Sequence, residues 1–117
     1  MAFEINYRIQ EKILFTHMPV DAPEVRALLL SAEPGKNIEE YGYTDNSKLF
    51  EKCIKGHVNA VYCGHTHYPG KVMVGDMPVT IMSISVNAVN KIYTGMGCVL
   101  IIDTDKLGED KYISADL

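Results

Sequence analysis

Two short apolar runs in this chain each stop on a histidine, and that repetition constrains the fold more than any other feature. Val58 to Cys63 leads through Gly64 into His65-Thr66-His67, and Ile13 to Thr16 leads into His17, with Pro19 just beyond. Short apolar runs bounded by turn residues read as buried strands. In extended backbone, residues i and i+2 share a face. His65 and His67 are therefore expected to project together from a strand end, with Thr66 turned the other way. If the two strands are neighbours in one sheet, His17, His65 and His67 converge on one edge. Open α/β sheets place their sites at the carboxyl ends of strands, and imidazole is the commonest protein ligand for first-row metals. The three histidines are the candidate metal ligands.

The rest of the chain places these runs in an α/β setting. Phe3, Ile5, Tyr7 and Ile9 alternate with polar residues, which predicts a strand with one wet side. Asp21-Ala22-Pro23 predicts a cap and a first-turn proline for a helix over 24–32. The stretch 31–43 holds Pro34-Gly35 and Gly42 and reads as a solvated connector, with a border to the substrate as its alternative. Asp45 or Asn46 is expected to cap a helix over 47–55, with Leu49, Phe50, Cys53 and Ile54 as its apolar stripe and Gly56 as its stop. His57 reads as a surface residue. Residues 71–74 and 77–85 predict a hairpin around Gly75-Asp76, with Pro78 confining the start of the second strand. Residues 87–97 read as a loop, 97–103 as a last apolar strand and 111–114 as a short edge strand.

L-F-T-H-M-P around His17, followed by C-G-H-T-H around His65 and His67, resembles the last two metal-binding motifs of the calcineurin-like metallophosphoesterases. The resemblance runs from about Lys12 to Asp103. It implies an α/β fold of α+β sandwich type: half of a β-sandwich flanked by helices, formed by residues 1–117 as a single domain. It implies hydrolysis of phosphate monoesters or diesters at a dinuclear site of divalent metal ions (Mn, Fe, Co, Ni or Zn), with His17 and His65 on one ion and His67 on the other.

The family's earlier motifs, D-x-H, G-D-x-x-D and G-N-H-D/E, supply the remaining ligands, a bridging aspartate and a catalytic histidine, and no stretch here matches them. Gly75-Asp76 is followed by Met-Pro-Val and comes after the histidines, so it is no substitute. Asn87-Ala88-Val89-Asn90 stands where members often carry Asn-Pro-Gly-Ser. The chain thus resembles the carboxyl-terminal half of such an enzyme, its first half lying on another chain or lost. No catalytic residue is assigned. A separate chain bearing the amino-terminal half, or a homo-oligomer, is the expected partner, and a phosphorylated compound the expected substrate. The alternative is a catalytically inactive metal-binding fragment or interaction subunit.

A cupin-type H-x-H site would need many evenly spaced short strands and a glutamate soon after the second histidine. The nearest downstream glutamate is Glu109. Asp21 and Asp76 lack a strand-end context that would recommend them as ligands. Cys63 reads as a small buried hydrophobe rather than a soft ligand. Three cysteines without a C-x-x-C fit a reducing, cytoplasmic setting rather than a disulfide framework. The net charge of −4 argues against a nucleic-acid surface or a polybasic membrane patch. No apolar run reaches the roughly 18 residues of a membrane span, and Glu4, Arg8, Glu11 and Lys12 interrupt the amino terminus where a signal peptide would be apolar.

Overall fold

A computed structural model of the chain describes residues 11–42, 45–66, 68–82 and 96–116. The first histidine-ended run forms strand β1 (Ile13–Phe15) and the second forms β2 (Ala60–Cys63). They lie side by side and parallel, Ile13 opposite Ala60 and Phe15 opposite Tyr62. Both histidine loops therefore leave the sheet from the same end. Beyond them the hairpin of β3 (Gly70–Val74) and β4 (Met77–Ile81) turns at Gly75, whose φ of 63° suits a residue without Cβ. Strand β4 pairs antiparallel with β3 and parallel with β2, giving the order β1-β2-β4-β3. Pro78 is tolerated near the start of a central strand because pairing with β2 begins one residue later, at Val79. A second, two-stranded sheet pairs β5 (Met96–Ile101) with β6 (Lys111–Asp116) antiparallel. The expected strand over 3–9 lies outside the described residues, as do residues 87–95 of the loop expected over 87–97, whose last two residues instead open β5.

The crossover from β1 to β2 is helical, which makes the arrangement an α/β one. Helix α1 (Pro23–Ala32) starts with proline in its first turn, where the missing N–H costs nothing. Its Val25 and Leu29 are fully buried against Val61, Cys63, Val79 and Ile81 of the sheet. A 3₁₀ helix (Ile38–Tyr41) follows. Then comes α2 (Ser47–Leu49), which continues as a π-helical turn over Phe50–Ile54, with Lys55 N–H donating to Phe50 O. The expected stripe is narrower in the structure: Phe50 is buried and Ile54 half-buried, while Leu49 (54% exposed) and Cys53 point outward.

The sheet's other face carries Ala60, Tyr62 and Thr80, all buried, beside Phe15 and Met73, which are 65% and 49% exposed. The Phe15 and Tyr62 rings stack at 5.5 Å, and the Tyr62 hydroxyl donates to Asp110 Oδ2 at 2.8 Å. Lys71 Nζ donates to Gly108 O. The β5–β6 connection thus meets this face. Among the described residues no helix is long and apolar enough to cross a membrane.

A candidate metal centre at the carboxyl ends of two parallel strands

Parallel pairing continues past the strands into the loops that carry the histidines. Thr16 N–H donates to Tyr62 O at 3.0 Å, and Gly64 N–H donates to His17 O at 3.0 Å. These bonds hold the two loops in fixed register, and the side chains meet. His17 Nε2 lies 2.9 Å from His65 Nδ1, with the rings edge to face at a centroid separation of 4.8 Å. His17 is exposed and His65 partly exposed. A shallow, open depression of about 460 Å³, bounded by Phe15, His17, Tyr62 and Met82, lies beside the pair. A larger hollow of about 590 Å³ sits near Phe50 and the Gly75–Asp76 turn, at the other end of the strands, and includes neither histidine.

The nitrogen spacing is that of a hydrogen bond between the two rings, and it also matches two ligands at a right angle on one ion. Two imidazole nitrogens, each bound to a metal at roughly 2.0–2.1 Å, stand about 2.9 Å apart at a right angle and about 3.4 Å apart at a tetrahedral one. The donor set is nonetheless partial. Among the described residues no three His, Cys, Asp or Glu side chains cluster where they could share an ion. His67 lies outside the described residues.

Local backbone differs from the extended strand expected through His65. Strand β2 ends at Cys63, and His65 has a φ of 67°, in the left-handed region. Thr66 N–H donates back to Gly64 O at 2.7 Å. An i to i+2 bond around a residue of positive φ is the strained form of the γ-turn. Such a conformation costs a non-glycine residue of order 1–3 kcal/mol and persists where its surroundings impose it. The pleat argument that paired His65 with His67 therefore does not reach His65. Thr66, buried beside it, has a hydroxyl with no hydrogen-bond partner among the described residues.

The 31–43 stretch, read from sequence as a solvated connector with a border to the substrate as its alternative, comes up against the histidine at Gly42. Gly42 O lies 3.2 Å from His65 Nε2, and a Cβ built on Gly42 would sit 2.9 Å from that nitrogen. Sequence reasoning missed Gly42; its one signal was a glycine between tyrosines in a turn-rich loop. The loop is braced against α1 and the segment after the histidines. Tyr41 is buried, and its hydroxyl donates to Leu29 O. Tyr68 donates to Glu33 Oε2 at 2.6 Å, and Lys36 Nζ stands 4.3 Å above the Tyr41 ring. The Tyr68 hydroxyl, aided by Lys36, holds the Glu33 carboxyl below its ordinary range.

The carboxylates weighed as ligands lie elsewhere. Asp21 is buried and fully engaged: Arg26 donates to both its oxygens, one at 2.8 Å, and Asn46 N–H donates to Oδ2 at 2.9 Å. Asp76 sits in the β3–β4 turn, at the opposite end of the sheet from the histidines. Cys63 is buried, its thiol donates to Thr80 O at 3.4 Å, and burial pushes its pKa up to about 12. No protein-family model matches the chain, and neither a curated protein nor a solved structure does.

Proposed function

We propose that this chain carries the carboxyl-terminal, metal-binding part of a calcineurin-like metallophosphoesterase and acts in the hydrolysis of phosphate esters. The observation that carries the proposal is the pair of parallel strands whose ends set His17 Nε2 and His65 Nδ1 2.9 Å apart. His17 and His65 hold one divalent ion and His67 contributes to a second. When bound, the metal supplies Lewis-acid chemistry, neutralising charge on phosphoryl oxygens and acidifying water. The chain's own part would be to hold the ion on the His17 and His65 rings at the ends of β1 and β2. The two sheets form the flank of a sandwich that further strands complete.

Two imidazoles cannot bridge two ions, and no carboxylate among the described residues joins them. By the resemblance, a bridging carboxylate would belong to the family's first half, which would lie on another chain or be lost. This favours a second reading for the chain by itself: an inactive metal-binding or interaction subunit. The apolar side chains exposed at Phe15, Met73, Ile101 and Ile113 fit a partner chain or a second copy.

Metal analysis combined with phosphomonoester and phosphodiester assays tests the function. The chain alone is expected to turn over neither substrate appreciably, and to gain metal-dependent activity with a chain bearing D-x-H and G-D-x-x-D. Turnover by the pure chain that His65→Ala leaves intact would place any hydrolysis elsewhere.

A further inference from the structure

We propose that the Gly42 carbonyl is a positioning group that fixes the tautomer of His65, placing the ring proton on Nε2 and leaving Nδ1 as the lone-pair atom facing His17. The inference rests on the metal-centre reading above and names the part of the fold that makes His65 a ready ligand.

A carbonyl oxygen can only accept, so the ring nitrogen 3.2 Å from Gly42 O is the one that carries the proton. In the neutral ring the other nitrogen then has its lone pair free. That other nitrogen is Nδ1, the atom 2.9 Å from His17 Nε2. Without metal, His17 Nε2–H donates to it; with metal, the same lone pair is available for ligation. The opposite tautomer would set the Nε2 lone pair against the carbonyl lone pairs and turn an N–H toward the ion. Ligating histidines commonly donate their second ring N–H to a backbone carbonyl in this way, which orients the ring and raises its basicity.

The fold fixes both sides of this contact. Gly42 has a φ of 80° and closes the 3₁₀ helix through its N–H to Glu39 O at 2.9 Å. Asn37 N–H donates to the Glu40 carboxylate at 3.1 Å at the start of that helix, and buried Tyr41 ties its end to α1. On the other side, the γ-turn and the Gly64-to-His17 bond hold the His65 backbone. A side chain at position 42 fails twice: the backbone is left-handed, and the Cβ would press on the imidazole at 2.9 Å. The strain at His65 is thus matched by a contact that only this backbone allows.

The test is imidazole ¹⁵N and ¹³C NMR of the metal-free chain, at a pH where the rings are neutral. His65 is expected to show the Nε2–H tautomer. Exchanging the Gly42–Tyr43 amide for an ester weakens the carbonyl as acceptor without adding an atom near the ring; it should shift the tautomer balance and weaken Co²⁺ binding by about 10- to 100-fold. Gly42→Ala should do the same where it folds. An Nδ1–H tautomer, or a mixture that the ester leaves unchanged, overturns the inference. The Nε2–H tautomer in a chain that binds no Co²⁺ would leave the latch standing and sink the metal-centre reading instead.

Discussion

Asp21 and His65 both sit in polar clusters that join distant parts of the chain, and the two clusters behave oppositely. Around Asp21 everything is matched. The carboxylate is buried, Arg26 grips both oxygens, and Asn46 donates its N–H while its side chain accepts the Asp21 N–H at 3.1 Å. That knot fastens the start of α1 to the start of α2. Around His65 the backbone is left-handed, the rings are partly open to solvent, and the neighbouring Thr66 hydroxyl lacks a partner among the described residues. A cluster whose polar capacity is used up serves architecture. One held in strain with a polar group unused is what the proposed metal centre would need.

Breaking the matched cluster should have the largest effect. Arg26→Ala leaves a buried carboxylate without its counter-charge and is expected to cost about 3 kcal/mol of stability in urea unfolding, at the lower end for a buried pair because Arg26 is partly exposed. His17→Ala, at an exposed loop position, should stay within about 0.5 kcal/mol. An Arg26→Ala loss no larger than that of His17→Ala would erase the distinction between the clusters.

The strained cluster gives a smaller effect of opposite sign. His65→Gly removes a Cβ from a left-handed position, a relief of about 1–2 kcal/mol, partly offset by the extra freedom glycine brings to the unfolded chain. Stability is expected to hold or rise by up to about 1 kcal/mol while metal binding is lost. If the substitution destabilises the fold by more than that, the His65 ring is itself a structural element and the contrast with Asp21 weakens.

Much of this contrast is legible in the residues, and the missing parts share a cause. Strands that end two residues before His17 and His65, the Gly75 turn and the Pro23 start of α1 are local signals of apolar runs and backbone chemistry, and the structure has each of them. What local pattern does not carry is contact between distant loops. Gly42 meets His65 from 23 residues away, and Asp21 meets Asn46 from 25 residues away. Neither partner has a periodicity that points to the other. Apolar spacing also puts Leu49 and Cys53 in the core, where the structure has Phe50 and Ile54 inward and these two outward. The extended-strand reading stops short of His65 because the chain turns at His65 itself, closed by the Thr66-to-Gly64 bond.

The central claim is that His17 and His65 form one metal-binding edge, and Co²⁺ titration followed by absorption and paramagnetic NMR shifts measures it directly. The chain is expected to bind Co²⁺ with shifts centred on both rings, more weakly on acidification because only neutral imidazole ligates. His17→Ala and His65→Ala should each lose more than about tenfold in affinity, equivalent to about 1.4 kcal/mol. No binding to the chain, or an affinity that both substitutions leave unchanged, contradicts a metal centre at the ends of β1 and β2.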